Sequence, residues 1–155
     1  MTEAKKILLV DDDVRDVELA CASLEEHNLA NEVAVARDGA EALDYLYRRG
    51  AFADRSEGHP IVVFLDLKMP KIDGHEVLKQ IKNDPNLKSI PVVVLTSSRE
   101  EQDLISSYQH HANAYVVKPV DFDCFVEVVQ QLGLFWVLTN EPPPGCLGKQ
   151  KNGAT

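Results

Sequence analysis

One short segment, Ile61-Val62-Val63-Phe64-Leu65-Asp66, organises the interpretation of this chain. Five apolar residues run without interruption into a single carboxylate. A β-strand that is covered on both faces, as in a parallel sheet, has this continuous apolar pattern. Asp66 is therefore expected at the carboxyl end of a buried strand, which is where open α/β sheets bind their ligands.

Four other apolar runs of similar length occur along the chain, and helical patterns separate them. The runs cover residues 6–10, 32–36, 90–95 and 114–117. Apolar side chains recur at helical spacing in the segments between them, beginning with residues 14–27. Residues 48–60 are mostly polar and contain two glycines and a proline, so we expect a long loop there. Strand and helix thus alternate five times, which predicts a doubly wound parallel sheet with helices on both faces.

Capping residues mark the starts of four of these helices. A capping side chain accepts a hydrogen bond from a backbone N–H group in the first turn, and a glutamate three residues later often accompanies it. The predicted caps are Asp38 with Glu41, Asp73 with Glu76, Ser98 with Glu101, and Asp121.

Polar side chains stand at the ends of four predicted strands. Asp11 and Asp12 follow the first strand and Asp66 follows the third, while Thr96 and Lys118 follow the fourth and fifth. Because parallel strands end at the same edge of a sheet, we expect these five side chains to converge. Each of them alone has an ordinary explanation as a loop or capping residue. Their joint placement favours a functional site.

Three carboxylates at one edge repel one another, and a hard divalent cation removes that repulsion. Mg²⁺ prefers oxygen ligands, so Asp12 and Asp66 are expected to bind it directly and Asp11 through a water molecule. The backbone carbonyl of Lys68 is a further candidate ligand.

Such a site suits phosphoryl transfer, which requires positioning and neutralisation of charge on the transferred oxygens. Asp66 is the expected nucleophile, in the manner of aspartyl-phosphate chemistry. Lys118 and the Thr96 hydroxyl would each bind a phosphoryl oxygen.

With these residues in view, the chain resembles the receiver domain of two-component response regulators, the CheY-like fold, over residues 5–134. The motifs are Leu9-Val10-Asp11-Asp12, Leu65-Asp66-Leu67-Lys68-Met69-Pro70-Lys71-Ile72-Asp73-Gly74, Val94-Leu95-Thr96-Ser97 and Tyr115-Val116-Val117-Lys118-Pro119. The resemblance implies a flavodoxin-like (βα)5 sheet of strand order 2-1-3-4-5 and phosphorylation by a sensor histidine kinase. It also implies that Asp66 is the phosphoacceptor and that Asp11, Asp12 and Asp66 surround Mg²⁺.

The same resemblance implies a conformational switch made by Thr96 and Tyr115. Phosphorylation would draw Thr96 toward a phosphoryl oxygen, let Tyr115 turn inward, and change the face made by the fourth helix, fifth strand and fifth helix. The peptide bond between Lys118 and Pro119 is expected to be cis. Lys68 and Ser98 occupy the two positions that tune the lifetime of the phosphoryl group in this family.

Composition limits the other possible functions. The chain has 155 residues, and its 25 acidic and 16 basic side chains give a formal net charge of −9, which disfavours nucleic-acid binding. No apolar run approaches the length needed to cross a membrane, and no signal peptide is evident. Three widely spaced cysteines form neither a metal motif nor a disulfide framework, which indicates a cytoplasmic protein. The five histidines share no metal spacing, so surface positions are expected for them.

The end of the last predicted helix is unusual because residues 134–138 are apolar on every side. Such a segment must bury its outer face against something. We expect residues 135–141 to extend the helix into a homodimer interface, with Phe135, Trp136 and Leu138 as contacts. The alternative is that Trp136 folds back onto its own domain. Residues 142–155 are expected to form a flexible tail. This extension and the long loop at 48–60 look most like the response regulators that pair with phytochrome histidine kinases.

The expected function is that of a signalling phosphoacceptor that is not an enzyme. Three other functions are alternatives to it. A haloacid-dehalogenase-like phosphatase typically has a second aspartate two residues after the nucleophile, where this chain has Lys68. A flavodoxin-like cofactor binder is disfavoured because acids at the sheet edge would repel a flavin phosphate. A receiver-like module that binds partners without phosphorylation is the third. The output, by docking to a downstream protein or by transfer to a histidine phosphotransfer protein, stays open.

Overall fold

A five-stranded parallel sheet forms the centre of the molecule in the computed structural model, which describes residues 6–26, 32–56 and 58–144. The sheet order is β2-β1-β3-β4-β5, and every neighbouring pair is parallel. The predicted strand order 2-1-3-4-5 is therefore confirmed. The strands are β1 (Lys6–Val10), β2 (Glu32–Ala36), β3 (Val62–Leu65), β4 (Val92–Thr96) and β5 (Ala114–Val117).

Helices cover both faces of the sheet. They are α1 (Val14–Glu26), α2 (Gly39–Tyr47), α3 (Gly74–Asn83), α4 (Glu101–Gln109) and α5 (Phe122–Gly133). On one face α1 packs against α5, and on the other α2 contacts α3, which in turn contacts α4. The loop predicted at residues 48–60 contains a short 3₁₀ turn, Gly50–Phe52. The predicted α/β architecture is thus the observed one.

Burial explains why the three central strands read as uninterrupted apolar runs. All four residues of β3 and all five of β4 are buried, as are the last four of β1. The helices contribute only one face, as in α3, where Val77, Leu78 and Ile81 are buried. A strand between two helical layers has no solvent face, so its sequence does not alternate.

Three of the four predicted helix caps are confirmed. Asp38 accepts a hydrogen bond from the backbone N–H of Glu41 at 2.8 Å, and Asp73 accepts one from Glu76 at 3.0 Å. Asp121 caps α5 in the same way, through Cys124. The predicted Ser98 cap is wrong. Helix α4 begins later, after Glu100, and the Ser98 hydroxyl donates instead to the Asp103 carboxylate at 2.5 Å.

The predicted cis peptide before Pro119 is also wrong. No cis peptide bond occurs in the described residues, so Lys118 and Pro119 are joined in trans. An Xaa–Pro bond favours trans by only about 0.5–1 kcal/mol, so the dipeptide alone does not dictate the isomer.

The end of the last helix differs in detail from the predicted extension. Leu134–Thr139 form a π-helical segment continuous with α5. Val137 is 3% exposed and faces the core, and Trp136 is half-buried against the core. Phe135 and Leu138 are 47% and 60% exposed. The predicted tail lies outside the described residues from position 145 onward, as does residue 5 at the predicted start of the domain.

One helical stretch among the described residues, Phe122–Thr139, is long and apolar enough by composition alone to cross a membrane. This is weak evidence for a span, because core helices of globular proteins meet the same criterion. Here Phe125, Val129 and Val137 pack into the core of the domain.

Candidate functional site

The predicted site residues lie at the carboxyl edge of the sheet because sheet hydrogen bonds continue past the strand ends. The backbone N–H of Asp11 donates to the Ala36 carbonyl at 3.0 Å, and that of Asp66 donates to the Val10 carbonyl at 2.9 Å. The N–H of Lys118 donates to the Thr96 carbonyl at 2.7 Å. These bonds fix the backbone from which each side chain reaches the site.

Lys118 is the cation at the centre of this edge. Its ammonium nitrogen, Nζ, donates to Asp11 Oδ2 at 2.7 Å and to Asp16 Oδ2 at 2.9 Å. The same atom lies 3.5 Å from Asp66 Oδ2. The Lys118 side chain is only 8% exposed, so one buried cation faces three carboxylates. Charges that are desolvated and paired in this way interact more strongly than surface ion pairs.

Three carboxylates at this edge lie close enough together to share one metal ion. Single oxygen atoms of Asp11, Asp12 and Asp66 all lie within 4.8 Å of one another. Asp11 and Asp66 are buried, whereas Asp12 is exposed. An all-oxygen set of this kind fits a hard divalent cation.

Burial and ion pairing both change the pKa values of Asp11 and Lys118. Burial raises the pKa of Asp11 to about 6, and the Lys118 ammonium opposes that rise only in part. Burial alone would lower the pKa of Lys118, but its hydrogen bond to Asp11 and the charges of Asp11 and Asp66 outweigh burial and raise the pKa above its usual value. Lys118 is therefore a permanent cation at neutral pH. A metal cation would favour the ionised form of Asp11 still further.

The start of α3 is held against the segment that follows Asp66. The N–H of Leu67 donates to Asp66 Oδ1 at 2.8 Å, which fixes the carboxylate plane. The N–H of Gly74 donates to the Leu67 carbonyl at 2.9 Å. A Cβ atom at Gly74 would lie 2.2 Å from the Asp66 carbonyl oxygen, a distance that no side chain tolerates. Glycine at position 74 is thus required by this close approach.

The two predicted switch residues, Thr96 and Tyr115, meet at the backbone of Ser98. Thr96 is fully buried, and its hydroxyl oxygen accepts a hydrogen bond from the Ser98 N–H at 3.3 Å. The Tyr115 hydroxyl donates to the Ser98 carbonyl at 3.0 Å. Both side chains are therefore connected to the same peptide segment after β4.

A second carboxylate near the site, Asp103 on α4, was not predicted. It accepts a hydrogen bond from the Ser98 hydroxyl, lies 2.9 Å from His75 Nε2, and is 3.6 Å from Lys68 Nζ. The Ser98 bond is the largest cause that holds the pKa of Asp103 below its usual value, and His75 and Lys68 contribute to it. We name Lys68, His75, Ser98 and Asp103 the Asp103 cluster.

The Asp103 cluster corrects the prediction of a surface position for His75, which is half-buried and has a carboxylate partner. The cluster borders the metal-ligand set, because a cleft of about 520 Å³ is lined by Asp12 as well as by Lys68, His75 and Asp103.

Asp16 is the other residue that sequence reasoning missed. It lies in the first turn of α1, where an acidic residue usually indicates only a favourable interaction with the helix dipole. The available signal was its position one helical turn after the aspartates that end β1.

The Lys68 side chain is 60% exposed and contacts Asp103 rather than the metal-ligand set.

The chain is similar to several known proteins. A family model for the response regulator receiver domain matches residues 7–130. Response regulator Rcp1 of Synechocystis sp. (strain ATCC 27184 / PCC 6803 / Kazusa) is 40% identical over 135 residues, which cover 87% of this chain and 90% of Rcp1. The solved structure of the Mn²⁺-bound form of Rcp1 superposes with a TM-score of 0.85, covering 90% of this chain and 99% of that one.

Two further solved structures are similar to this chain. The phosphorylated cyanobacterial phytochrome response regulator RcpA has a TM-score of 0.85 at 42% identity, covering 90% of this chain and 98% of that one. The bacteriophytochrome response regulator AtBRR is 57% identical with a TM-score of 0.71, covering 90% of this chain and 99% of that one.

Proposed function

The chain belongs to the family of response regulator receiver domains, and from that premise we propose that Asp66 accepts a phosphoryl group from a sensor histidine kinase of the phytochrome type. Receiver domains are signalling proteins that histidine kinases phosphorylate. The observation that carries the assignment to Asp66 is its position. It is a carboxylate at the end of β3 that lies 3.5 Å from the Lys118 ammonium and within metal-sharing distance of Asp11 and Asp12.

The residues of this edge divide the work of phosphoryl transfer. A carboxylate oxygen of Asp66 attacks the phosphorus of a phosphohistidine, the P–N bond breaks, and the leaving imidazole nitrogen takes a proton. The product is an acyl phosphate on Asp66. Lys118 stabilises the charge on a phosphoryl oxygen, and the Thr96 hydroxyl donates to another. Because Lys118 is already buried beside Asp66, its charge needs little reorganisation during the reaction.

Receiver domains bind a divalent metal at an acidic pocket, and the carboxylates here fit one. We propose that the ion is Mg²⁺, held by Asp11, Asp12, Asp66 and the backbone carbonyl of Lys68. When bound, it neutralises charge on the carboxylates and on the phosphoryl oxygens. The Mn²⁺-bound form of Rcp1 supports the presence of a divalent ion in a similar protein.

The proposed readout is the α4-β5-α5 face. When Thr96 turns its hydroxyl to the phosphoryl group, the Ser98 N–H loses its acceptor. The Ser98 carbonyl is the acceptor of the Tyr115 hydroxyl, so the same peptide movement releases Tyr115 to turn inward. The changed face then binds a downstream protein, or the phosphoryl group passes to a histidine phosphotransfer protein.

Pairing with a phytochrome-type kinase is supported by the relatives. RcpA is a phytochrome response regulator and AtBRR a bacteriophytochrome response regulator, and both align with nine-tenths of this chain. We also propose a cytoplasmic location, because the three widely spaced cysteines form no disulfide framework.

The test of the proposed function is Mg²⁺-dependent labelling with acetyl phosphate, followed by intact-protein mass spectrometry. We expect a mass gain of one phosphoryl group in the wild type, no gain in Asp66→Asn, and no gain when a chelator removes the metal. Asp44→Asn is the matched control, because it removes an exposed carboxylate on α2 that pairs with Arg49 far from the site. Equal labelling of the wild type and Asp66→Asn would overturn the proposal. Rapid turnover of small phosphate esters would favour the phosphatase instead.

We also propose that the exposed side of Leu134–Thr139 forms a homodimer interface. Phe135 and Leu138 are among the exposed large apolar side chains of the described chain, and Trp136 stacks edge-on against Phe135 with ring centroids 5.1 Å apart. A second copy of the same surface would remove these side chains from water.

Sedimentation velocity across a concentration series tests this interface. Leu138→Asp is expected to shift the wild-type dimer to monomer, because a two-fold axis brings two new charges together. Val120→Asp, a change of the same kind at a fully exposed position in the β5–α5 loop, should leave the dimer intact. A monomeric wild type, or an unchanged Leu138→Asp dimer, would contradict the proposal.

A further inference from the structure

We infer that Asp103 is a positioning residue that holds the loops after Asp66 and Thr96 in their unphosphorylated arrangement and thereby opposes the switch. The inference rests on the proposed function, because it concerns how phosphorylation at Asp66 changes the α4-β5-α5 face. It assigns a role to a residue of α4 that belongs neither to the metal-ligand set nor to the switch pair.

The Asp103 carboxylate connects three separate elements. Asp103 Oδ2 accepts from the Ser98 hydroxyl at 2.5 Å and lies 3.6 Å from Lys68 Nζ, while Oδ1 lies 2.9 Å from His75 Nε2. Lys68 belongs to the loop after Asp66, Ser98 to the loop after Thr96, and His75 to α3. Asp103 therefore joins the two loops that follow the phosphoacceptor and the switch threonine.

Ser98 is hydrogen-bonded at every one of its polar atoms. Its N–H donates to the Thr96 hydroxyl, its hydroxyl donates to Asp103, and its carbonyl accepts from the Tyr115 hydroxyl. Its hydroxyl oxygen also accepts from the Glu100 N–H at 3.3 Å. The Asp103 bond is the charge-assisted one, so it contributes most to keeping the segment in place. Removing it loosens the acceptor that holds Tyr115 in its half-buried position.

The negative charge of Asp103 also opposes phosphorylation. Asp103 lines the same cleft as Asp12, so its negative charge faces the region where a phosphoryl group would arrive. That group carries a charge of about −1.5 to −2, which Asp103 repels. Asp103 also attracts Lys68, an exposed cation in the loop after Asp66, which would otherwise be available to a phosphoryl oxygen. In the ion pair between Lys68 and Asp103 the lysine side chain is 60% exposed. This pair therefore contributes less than the Ser98 hydrogen bond.

Neutralising Asp103 should favour the phosphorylated arrangement, both before and after a ligand binds at Asp66. Asp103→Asn is the suitable variant, because the amide keeps the shape and an acceptor oxygen but removes the charge. Ser98→Ala is the complementary variant, because it removes the hydroxyl bond and keeps the charge.

The experiment uses the full chain with saturating Mg²⁺ and beryllofluoride, a non-transferable substitute for a phosphoryl group, followed by NMR of the Ser98 and Tyr115 amides. We expect Asp103→Asn to bind beryllofluoride about fivefold more tightly than the wild type, in keeping with loss of a charge-assisted hydrogen bond and of repulsion. Without ligand, its Tyr115 amide signal should move part of the way toward the wild-type bound position. Ser98→Ala should move it in the same direction by less, and Asp44→Asn should not move it.

A coupling measurement separates positioning from a merely structural role. In a Lys68→Met background, the gain in beryllofluoride affinity from Asp103→Asn should shrink, because the cation that Asp103 holds is no longer present. A general loss of stability would give no such coupling.

The outcomes separate this inference from the proposed function. Unchanged or weaker beryllofluoride binding by Asp103→Asn, with its Tyr115 amide at the wild-type free position, overturns the role of Asp103. Beryllofluoride binding that is absent in the wild type, or equal in Asp66→Asn, overturns the proposed function. In that case the ligand-free Tyr115 signals of Asp103→Asn and Ser98→Ala still decide whether Asp103 holds the loop.

Discussion

The carboxyl edge of the sheet and the π-helical segment Leu134–Thr139 satisfy their side chains in opposite ways. At the edge, Asp11, Asp66 and Lys118 are charged and buried, and each has an opposite charge within 3.5 Å. In the segment, Phe135 and Leu138 are apolar yet about half exposed to water. The buried carboxylates of the edge thus have a cationic partner in the same chain, whereas the segment lacks a covering surface among the described residues.

The sharpest way to disturb the edge without altering a charge is Gly74→Ala. The new Cβ would collide with the Asp66 carbonyl, so the loop after β3 must shift or the variant must unfold more easily. We expect a loss of about 3 kcal/mol in the free energy of unfolding, at the upper end of the usual overpacking cost. Urea denaturation followed by circular dichroism measures it, and phosphorylation at Asp66 should slow in the folded fraction.

Lys79→Ala, at an exposed position on the same helix, is the control for Gly74→Ala. It should change the free energy of unfolding by less than about 0.5 kcal/mol. A Gly74→Ala variant as stable as this control would mean that the close approach between α3 and Asp66 does not constrain the edge.

Within the π-helical segment, Val137→Ala and Phe135→Ala should lower the free energy of unfolding by different amounts. Val137 is buried, so the loss of two methyl groups should cost about 2 kcal/mol. Phe135 is about half exposed and contacts Trp136, so its replacement should cost about 1 kcal/mol in dilute monomer. Chemical denaturation at a concentration below dimerisation gives both values. A cost for Phe135→Ala equal to that of Val137→Ala would show that Phe135 is already covered within the monomer.

Tyr115→Phe probes the link between the edge and the α4-β5-α5 face and has the smallest expected effect. It removes the hydroxyl that donates to the Ser98 carbonyl and keeps the ring. The free energy of unfolding should fall by about 1 kcal/mol, the net value of one hydrogen bond. Thermal unfolding monitored at Trp136 measures this. A variant that is more stable than the wild type would indicate that the hydroxyl is not bonded in solution.

The edge could be predicted from sequence because topology alone places its residues together. Asp11, Asp66, Thr96 and Lys118 each end a strand or follow one, and parallel strands end at one edge of the sheet. The three aspartate caps followed from local rules, whereas the strand order followed from the resemblance to receiver domains. None of these predictions depended on how the helices pack.

The missed residues are those whose positions depend on helix packing. Asp16 reaches Lys118 only because α1 packs against α5, and this packing joins residues far apart in sequence. Asp103 faces Ser98 only because α4 starts after Glu100, later than the predicted Ser98 cap implied. His75 is half-buried beside the same carboxylate. Sequence periodicity also treated residues 134–138 as uniformly apolar, and only the π-helical geometry separates buried Val137 from exposed Leu138.

The most direct test of the account is to map the phosphorylated residue. After labelling with acetyl phosphate and Mg²⁺, borohydride reduction converts an aspartyl phosphate to homoserine, which peptide mass spectrometry locates. The account predicts homoserine at position 66 alone and none in Asp66→Asn. Homoserine at position 11 or 12 of the wild type, or at no aspartate in a protein that gains phosphoryl mass, would contradict it.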